Sequence, residues 1–171
     1  HGVVIVAVGA GESRPAEYLY GQESRVVTQS EMEERLALHP EEIEKYQNVV
    51  MIQCVGSRNP DHPNCSRICC SVAVKNALKL KELSPRTAVT VLYRDIRTYG
   101  LMERYYKLAR ERGVQFIPYA AEAKPELSVN NGNLELKVRD LMIGEETVIA
   151  PDLVVLSSAV VPYDNSQLAK M

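Results

Sequence analysis

Four cysteines are the residues here best suited to chemistry, and all of them fall between Cys54 and Cys70. The pattern is C-x10-C-x3-C-C, formed by Cys54, Cys65, Cys69 and Cys70. A secreted disulfide framework would spread its cysteines to staple distant segments, so this clustering reads as a metal, cluster or redox site in a reducing compartment. Structural zinc usually takes short C-x2-4-C hooks, which the run lacks, and adjacent cysteines sit awkwardly on one tetrahedral ion. A disulfide is also open, either as a vicinal Cys69–Cys70 bridge or between Cys54 and Cys65. A [4Fe–4S] cluster takes its four thiolates on separate irons, so adjacent cysteines can reach different corners. The spacing departs from the common ferredoxin runs, so it favours the cluster without deciding for it. The plain alternative is four buried small hydrophobes. Arg58 and Arg67 flank the run and would add positive charge, or else are surface side chains. His39 and His62 read as ordinary loop residues rather than ligands.

Hydrophobic patterning gives the elements that must position these thiols. Val49 to Cys54 (VVMIQC) is a continuous apolar strand ending in the first cysteine. Residues 55–65 are rich in Gly, Pro, Asn and Asp and form a loop. A helix is expected from about Ser66 to Leu83, with Cys65 and Cys69 one turn apart and Cys70 a quarter turn away. The four sulfurs would then gather at the carboxyl end of a strand, beside a positive helix terminus that favours thiolates. Ala88–Tyr93 is a strand, Leu101–Arg112 a helix closed by Gly113, and Val114–Ile117 a further strand. This alternation marks a parallel sheet with crossover helices. Leu127–Val129, a turn at Asn130–Asn133, Leu134–Val138 and Glu146–Ala150 read as an antiparallel meander. Leu153–Leu156 is a continuous apolar strand returning to the parallel sheet. Upstream, Gly2–Val8 is expected to be a strand buried on both faces, followed by a short strand at Val26–Thr28. Ser30 with Glu33 suggests a capping box for a helix to Leu38, and Pro40–Tyr46 is a second helical piece. The acid-rich stretch 11–46 reads as a solvated linker face.

A dinucleotide site would place G-x-G-x-x-G after the strand at 49–54; this chain has the cysteine loop there. Gly9-Ala10-Gly11 lacks the third glycine and runs into Pro15 with no helix behind it. The 171 residues suit one domain, or a domain with a piece of another. Apolar residues at 46% and charged residues at 25% are ordinary for a soluble globular protein. A net charge of −2 argues against a general nucleic-acid binder. The basic surplus over residues 71–113 reads as a solvated helix surface, with a docking face for an acidic partner as the other account. The longest apolar run is too short to span a bilayer, and no secretory signal is visible. His1 directly before a strand-like run reads as a cut rather than a natural start.

Two stretches carry a resemblance. QCVGSRNPDHPNCSRICCSVAVKNALKLKE (Gln53–Glu82) and VTVLYRDIRTYG (Val89–Gly100) closely resemble the A-type subunit family of heterodisulfide reductases of anaerobic archaea and bacteria. GVVIVAVGA (Gly2–Ala10) and PDLVVLSSAVVP (Pro151–Pro162) look like that family's strands leaving and re-entering its flavin-binding part, so the resemblance covers almost the whole chain. It implies an α/β fold, a Rossmann-like parallel sheet with a β-meander in a thioredoxin-reductase-like NAD(P)-domain architecture. Residues 1–48 would be the connector from the flavin domain, 49–162 the nucleotide-binding-like domain carrying the cysteines, and 163–171 the start of the return connector. It implies a [4Fe–4S] cluster on Cys54, Cys65, Cys69 and Cys70, and FAD in the full-length protein, with Gly9, Ala10 and Pro162 touching only the edge of the flavin site. The function implied is electron transfer between flavin and iron–sulfur centres in a cytoplasmic complex. Its partners would be other subunits, hydrogenase or ferredoxin-like carriers, with a homodimer allowed. The isolated stretch would be an oxidoreductase fragment, not active alone. The missing glycine fingerprint weighs against NAD(P)H binding, and the missing C-x-x-C pair against dithiol exchange of the thioredoxin-reductase type. A zinc-stabilised docking module and a thiol–disulfide oxidoreductase are the competing functions.

Overall fold

Strands without polar alternation must be covered on both faces, and most of the apolar runs meet that demand in one sheet. The computed structural model describes residues 2–170. In chain order its strands are β1 (Ala10–Glu12), β2 (Val26–Thr28), β3 (Asn48–Val55), β4 (Ala88–Tyr93), β5 (Gln115–Pro118), β6 (Glu126–Asn130), β7 (Asn133–Arg139), β8 (Glu146–Ile149), β9 (Leu153–Ser158) and β10 (Val160–Pro162). The α-helices are α1 (Gln29–Leu38), α2 (Cys69–Leu83) and α3 (Glu103–Glu111), and the second helical piece is a short 3-10 helix, Pro40–Lys45. A five-stranded sheet runs β2-β9-β3-β4-β5, and every pairing in it is parallel. The architecture is α/β, as expected.

Each strand contributes to two cores. Val49 and Met51 of β3 pack with Met32 of α1 and Ala73, Ala77 and Leu80 of α2 on the helical face. Val50 and Ile52 face the other way, against Leu134, Leu136 and Val138. Those three alternate along β7, the middle strand of the antiparallel sheet β6-β7-β8. Fully burying one such side chain contributes roughly 1.5–3 kcal/mol over leaving it exposed. The β6–β7 turn is tight because Asn131 and Gly132 both take left-handed backbone, at φ +50° and +80°, as a two-residue hairpin loop requires.

Three expectations for the chain before β3 change. Gly2–Val8 forms no strand: Val3, Val4 and Ile5 are at least 80% exposed, because no neighbouring strand in the described residues pairs with them. The capping box sits two residues earlier than expected. Thr28 Oγ1 accepts from the Glu31 N–H at 3.3 Å, and the Glu31 carboxylate accepts from the Thr28 N–H at 2.7 Å. The stretch 11–46 is not solvated throughout. Val26, Val27, Met32, Leu36 and Ile43 are buried, while the acidic Glu33 and Glu34 lie on the exposed side of α1, so the charge marks one helix face only. The sheet therefore draws on the chain from Val26 onward. His1 lies outside the described residues.

Candidate metal centre

The carboxyl end of β3 is irregular. Ile52 pairs with Leu156 and Val55 with Ser158, so β3 holds one extra residue there, a bulge of the kind that re-aims side chains beside functional sites. Cys54 occupies it at φ +63°, with Gly56 at +68° and Arg58 at +57°. Left-handed backbone costs a residue with a Cβ roughly 1–2 kcal/mol, and such strain concentrates at functional sites. The helix begins later than the sequence suggests. Arg67 stands at φ +68°, which breaks any helical run from Ser66, and α2 starts at Cys69. Cys65 is thus a loop residue rather than a helical one. Its Sγ accepts from the Arg67 N–H at 3.3 Å. The N-cap residue Ile68 supplies no side-chain cap, leaving first-turn N–H groups and the positive helix end at Cys69 and Cys70.

Each remaining thiol is tied to a different strand end. Cys69 Sγ donates to the Ser158 carbonyl at the end of β9, 3.5 Å away. Cys70 Sγ donates to the Asp95 carbonyl just past β4, 3.7 Å away. The site therefore spans the carboxyl ends of β9, β3 and β4, where ligand crevices of open parallel sheets form. All four cysteines are free; Cys70 is buried and the others are half-buried. Burial first, with smaller contributions from the neighbouring Cys70, Cys54 and Cys65, pushes the Cys69 thiol up to about 11. Burial also raises Cys54 and Cys70. The four sulfurs are thus within electrostatic reach of one another. Among the described residues, no three of them lie within 4.8 Å of one another; His39, Glu41 and Glu42 alone form so tight a ligand group, and all three are exposed.

Charged side chains surround Cys54. Arg58 Nη1 lies 3.9 Å from its sulfur and 2.6 Å from Asp95 Oδ1. Arg97 reaches both Asp95 oxygens, at 3.1 and 2.9 Å. Burial works to raise the Asp95 carboxyl, but the Arg97 hydrogen bonds and the two guanidinium charges outweigh it and hold it below the usual range. Two fully covered polar side chains adjoin the thiols in sequence or space. Both amide atoms of Gln53 and the Ser158 hydroxyl lack a hydrogen-bond partner among the described residues.

The ribbon residues Ala10 and Pro162 pair with each other across β1 and β10, and Gly9 precedes them, exposed and at φ +70°. A cavity of about 170 Å³ lies between this ribbon and Cys69, lined by Gly11, Ser157, Ser158 and Cys69 among others. Sequence reasoning missed Asp95, Ser158 and Gln53. The available signal for Asp95 was a charged run, Arg94-Asp95-Ile96-Arg97, placed directly at the carboxyl end of a buried strand.

No family model matches the chain. Among curated proteins, the iron-sulfur A-type subunit of the CoB--CoM heterodisulfide reductase of Methanocaldococcus jannaschii is 40% identical over 190 aligned positions, covering 99% of this chain and 28% of that protein. The A-type subunit of the H(2):CoB-CoM heterodisulfide,ferredoxin reductase of Methanothermobacter marburgensis is 36% identical over 184, covering 97% and 27%. The chain is homologous to heterodisulfide reductase A-type subunits over almost its whole length. It spans little more than a quarter of the length of these heterodisulfide reductase subunits. Solved structures agree on the fold. Thioredoxin reductase of Lactococcus lactis superposes with a TM-score of 0.56 at 18% identity, over 91% of this chain and 44% of that one. The T. acidophilum thioredoxin reductase gives 0.51 at 14%, over 90% and 43%. The relatives' names call them subunits of reductases, and among the described residues no helix is long and apolar enough to cross a membrane.

Proposed function

We propose that this chain is the nucleotide-binding-like part of a heterodisulfide reductase A-type electron-transfer subunit, and that Cys54, Cys65, Cys69 and Cys70 hold a [4Fe–4S] cluster. The observation that carries this reading is the spacing of four free thiols gathered at one sheet end. Four sulfurs on one tetrahedral zinc stand about 3.8 Å apart, given bonds of about 2.3 Å, and these sulfurs are spread more widely. Thiolates on separate irons suit a wider spread. Bound there, the cluster would supply a one-electron donor and acceptor. The chain's own part is to give up four thiol protons, set the sulfurs at the strand ends, and present the α2 terminus and Arg58 as positive charge. Gln53 and Ser158 offer unpaired polar atoms beside the ligands, the kind of outer-shell group that tunes a cluster's potential.

On this reading the ribbon β1–β10 leads from and to a flavin domain of the longer protein, with Gly9, Ala10 and Pro162 at the edge of its FAD. Residues up to about 48 and from 163 onward serve mainly as connectors, although β2 joins the sheet and α1 packs on it. The protein relays electrons to or from FAD within a cytoplasmic complex of further subunits or ferredoxin-like carriers. Four unpaired cysteines suit a reducing compartment.

Purification without oxygen followed by iron, sulfide and zinc analysis tests the proposal. About four irons and four sulfides per chain are expected, with a low-temperature EPR signal after reduction with dithionite. One zinc and no sulfide would show a structural metal site instead.

A further inference from the structure

Among the cations near the thiols, Arg58 is the one whose side chain reaches a cysteine sulfur. Its Nη1 lies 3.9 Å from Cys54 Sγ and 2.6 Å from Asp95 Oδ1. Asp95 is gripped in turn by Arg97 through both carboxylate oxygens. The loop is pinned a third way, by Arg94 Nη1 on the Arg58 carbonyl at 3.0 Å. The Arg58 side chain is only 21% exposed, and its backbone takes the left-handed region at φ +57°, which costs roughly 1–2 kcal/mol. An ordinary surface ion pair contributes little and needs none of these supports. Asp95 also touches the site through its backbone, accepting from Cys70 Sγ at 3.7 Å. One chain of contacts therefore joins two of the four sulfurs: Cys54 through a cation, Cys70 through a carbonyl.

We propose that Arg58 is a positioning residue that sets the potential of the centre, holding a positive charge and a hydrogen-bond donor on the Cys54 sulfur while Asp95 and Arg97 fix its pose. The inference rests on the [4Fe–4S] reading above. Reduction adds one electron, so the site becomes more negative by one charge. A cation fixed within hydrogen-bonding distance in half-buried surroundings stabilises that state more than the oxidised one, because the local dielectric is low. The Asp95 carboxylate works in the opposite sense. Removing the cation should therefore lower the midpoint potential, and removing the anion should raise it.

The test uses this chain and three variants, Arg58→Gln, Arg58→Lys and Asp95→Asn, all purified without oxygen. Iron and sulfide are measured first. The cluster is then titrated with dithionite, which supplies the electron, and followed by EPR. Arg58→Gln is expected to keep its iron and shift to a more negative potential. Arg58→Lys should lie between it and the native chain, because an ammonium keeps the charge but lacks the guanidinium fork. Asp95→Asn should shift to a more positive potential. A purely structural arginine would lower the melting temperature or iron content in Arg58→Gln and Asp95→Asn alike, without moving the potentials apart. That pattern, or an unmoved potential in Arg58→Gln, overturns the inference. Should Arg58→Gln lose its iron, Arg58→Lys decides: a more negative potential in the loaded variant supports the inference and an unmoved potential ends it. A native chain free of iron removes the centre and this inference together, whereas a loaded native chain with unmoved variants removes the inference alone.

Discussion

Cys69 is a thiol that burial pushes up to about 11, above an unfolded value of about 8.5. In the metal-free protein it is neutral near pH 7, and the folded state holds its proton longer than the unfolded state does. Its contribution to stability is therefore complete below about pH 8.5 and is lost as pH climbs toward the folded value. Cys54 and Cys70 shift in the same direction. The melting temperature of metal-free protein should fall between about pH 8.5 and about pH 11, and Cys69→Ser should flatten that fall; circular dichroism across the range measures both. A flat profile in the native chain would contradict the burial argument. Metal binding runs the other way, since thiolate ligation releases protons. A second residue test concerns Asn76, which donates to the Gln29 side chain at 2.8 Å while Gln29 donates to Ser157 Oγ at 3.1 Å. Asn76→Ala strands a buried acceptor and should cost about 1–3 kcal/mol in urea unfolding. At this scale the sequence was uneven. The four cysteines announce themselves by type and spacing. Arg58 was legible as a charge flanking them, but Asp95 and its meeting with Arg58 were not, since that pairing depends on left-handed turns that residue types alone do not specify. Ser158 contributes a main-chain carbonyl, which every residue possesses.

Among the elements, α1 is fixed at its start by Thr28, which is almost fully buried. Thr28→Ala removes the reciprocal pair with Glu31 and should destabilise the fold by about 1 kcal/mol, read as a lower denaturation midpoint with an unchanged slope. The strands β3, β4 and β9 were legible because three unbroken β-branched runs have one stable use, the middle of a sheet covered on both sides. β7 was legible for the opposite reason, its strict alternation of apolar and polar residues. The run Gly2–Val8 is at least as rich in β-branched apolar residues as β3 yet is exposed. Composition states what a strand needs; whether a partner lies alongside is a property of the surrounding chain. The start of α2 was misplaced because one backbone torsion, at Arg67, decides it.

On the scale of the whole molecule, that same run is a contiguous stretch of exposed apolar side chains: Val3, Val4, Ile5 and Val6 are each at least 61% exposed. Contiguous surface of this kind marks an interface or an aggregation hazard. Deleting residues 2–8 should leave the melting temperature nearly unchanged, because they add no core packing, and should raise the concentration at which the chain stays monodisperse by light scattering. A large fall in melting temperature would show that the run is packed after all. The opposite end of the ribbon is tightly fastened. Only Ala159 separates β9 from β10. Its N–H donates to the Val55 carbonyl at 2.9 Å, and its carbonyl accepts from Ser13 at 2.8 Å. The next N–H, of Val160, donates to Ser66 Oγ at 2.9 Å. Torque on the ribbon thus has no slack to dissipate in before it reaches the residue beside Cys65, and whatever leans on that two-stranded arm also pulls on the sulfurs.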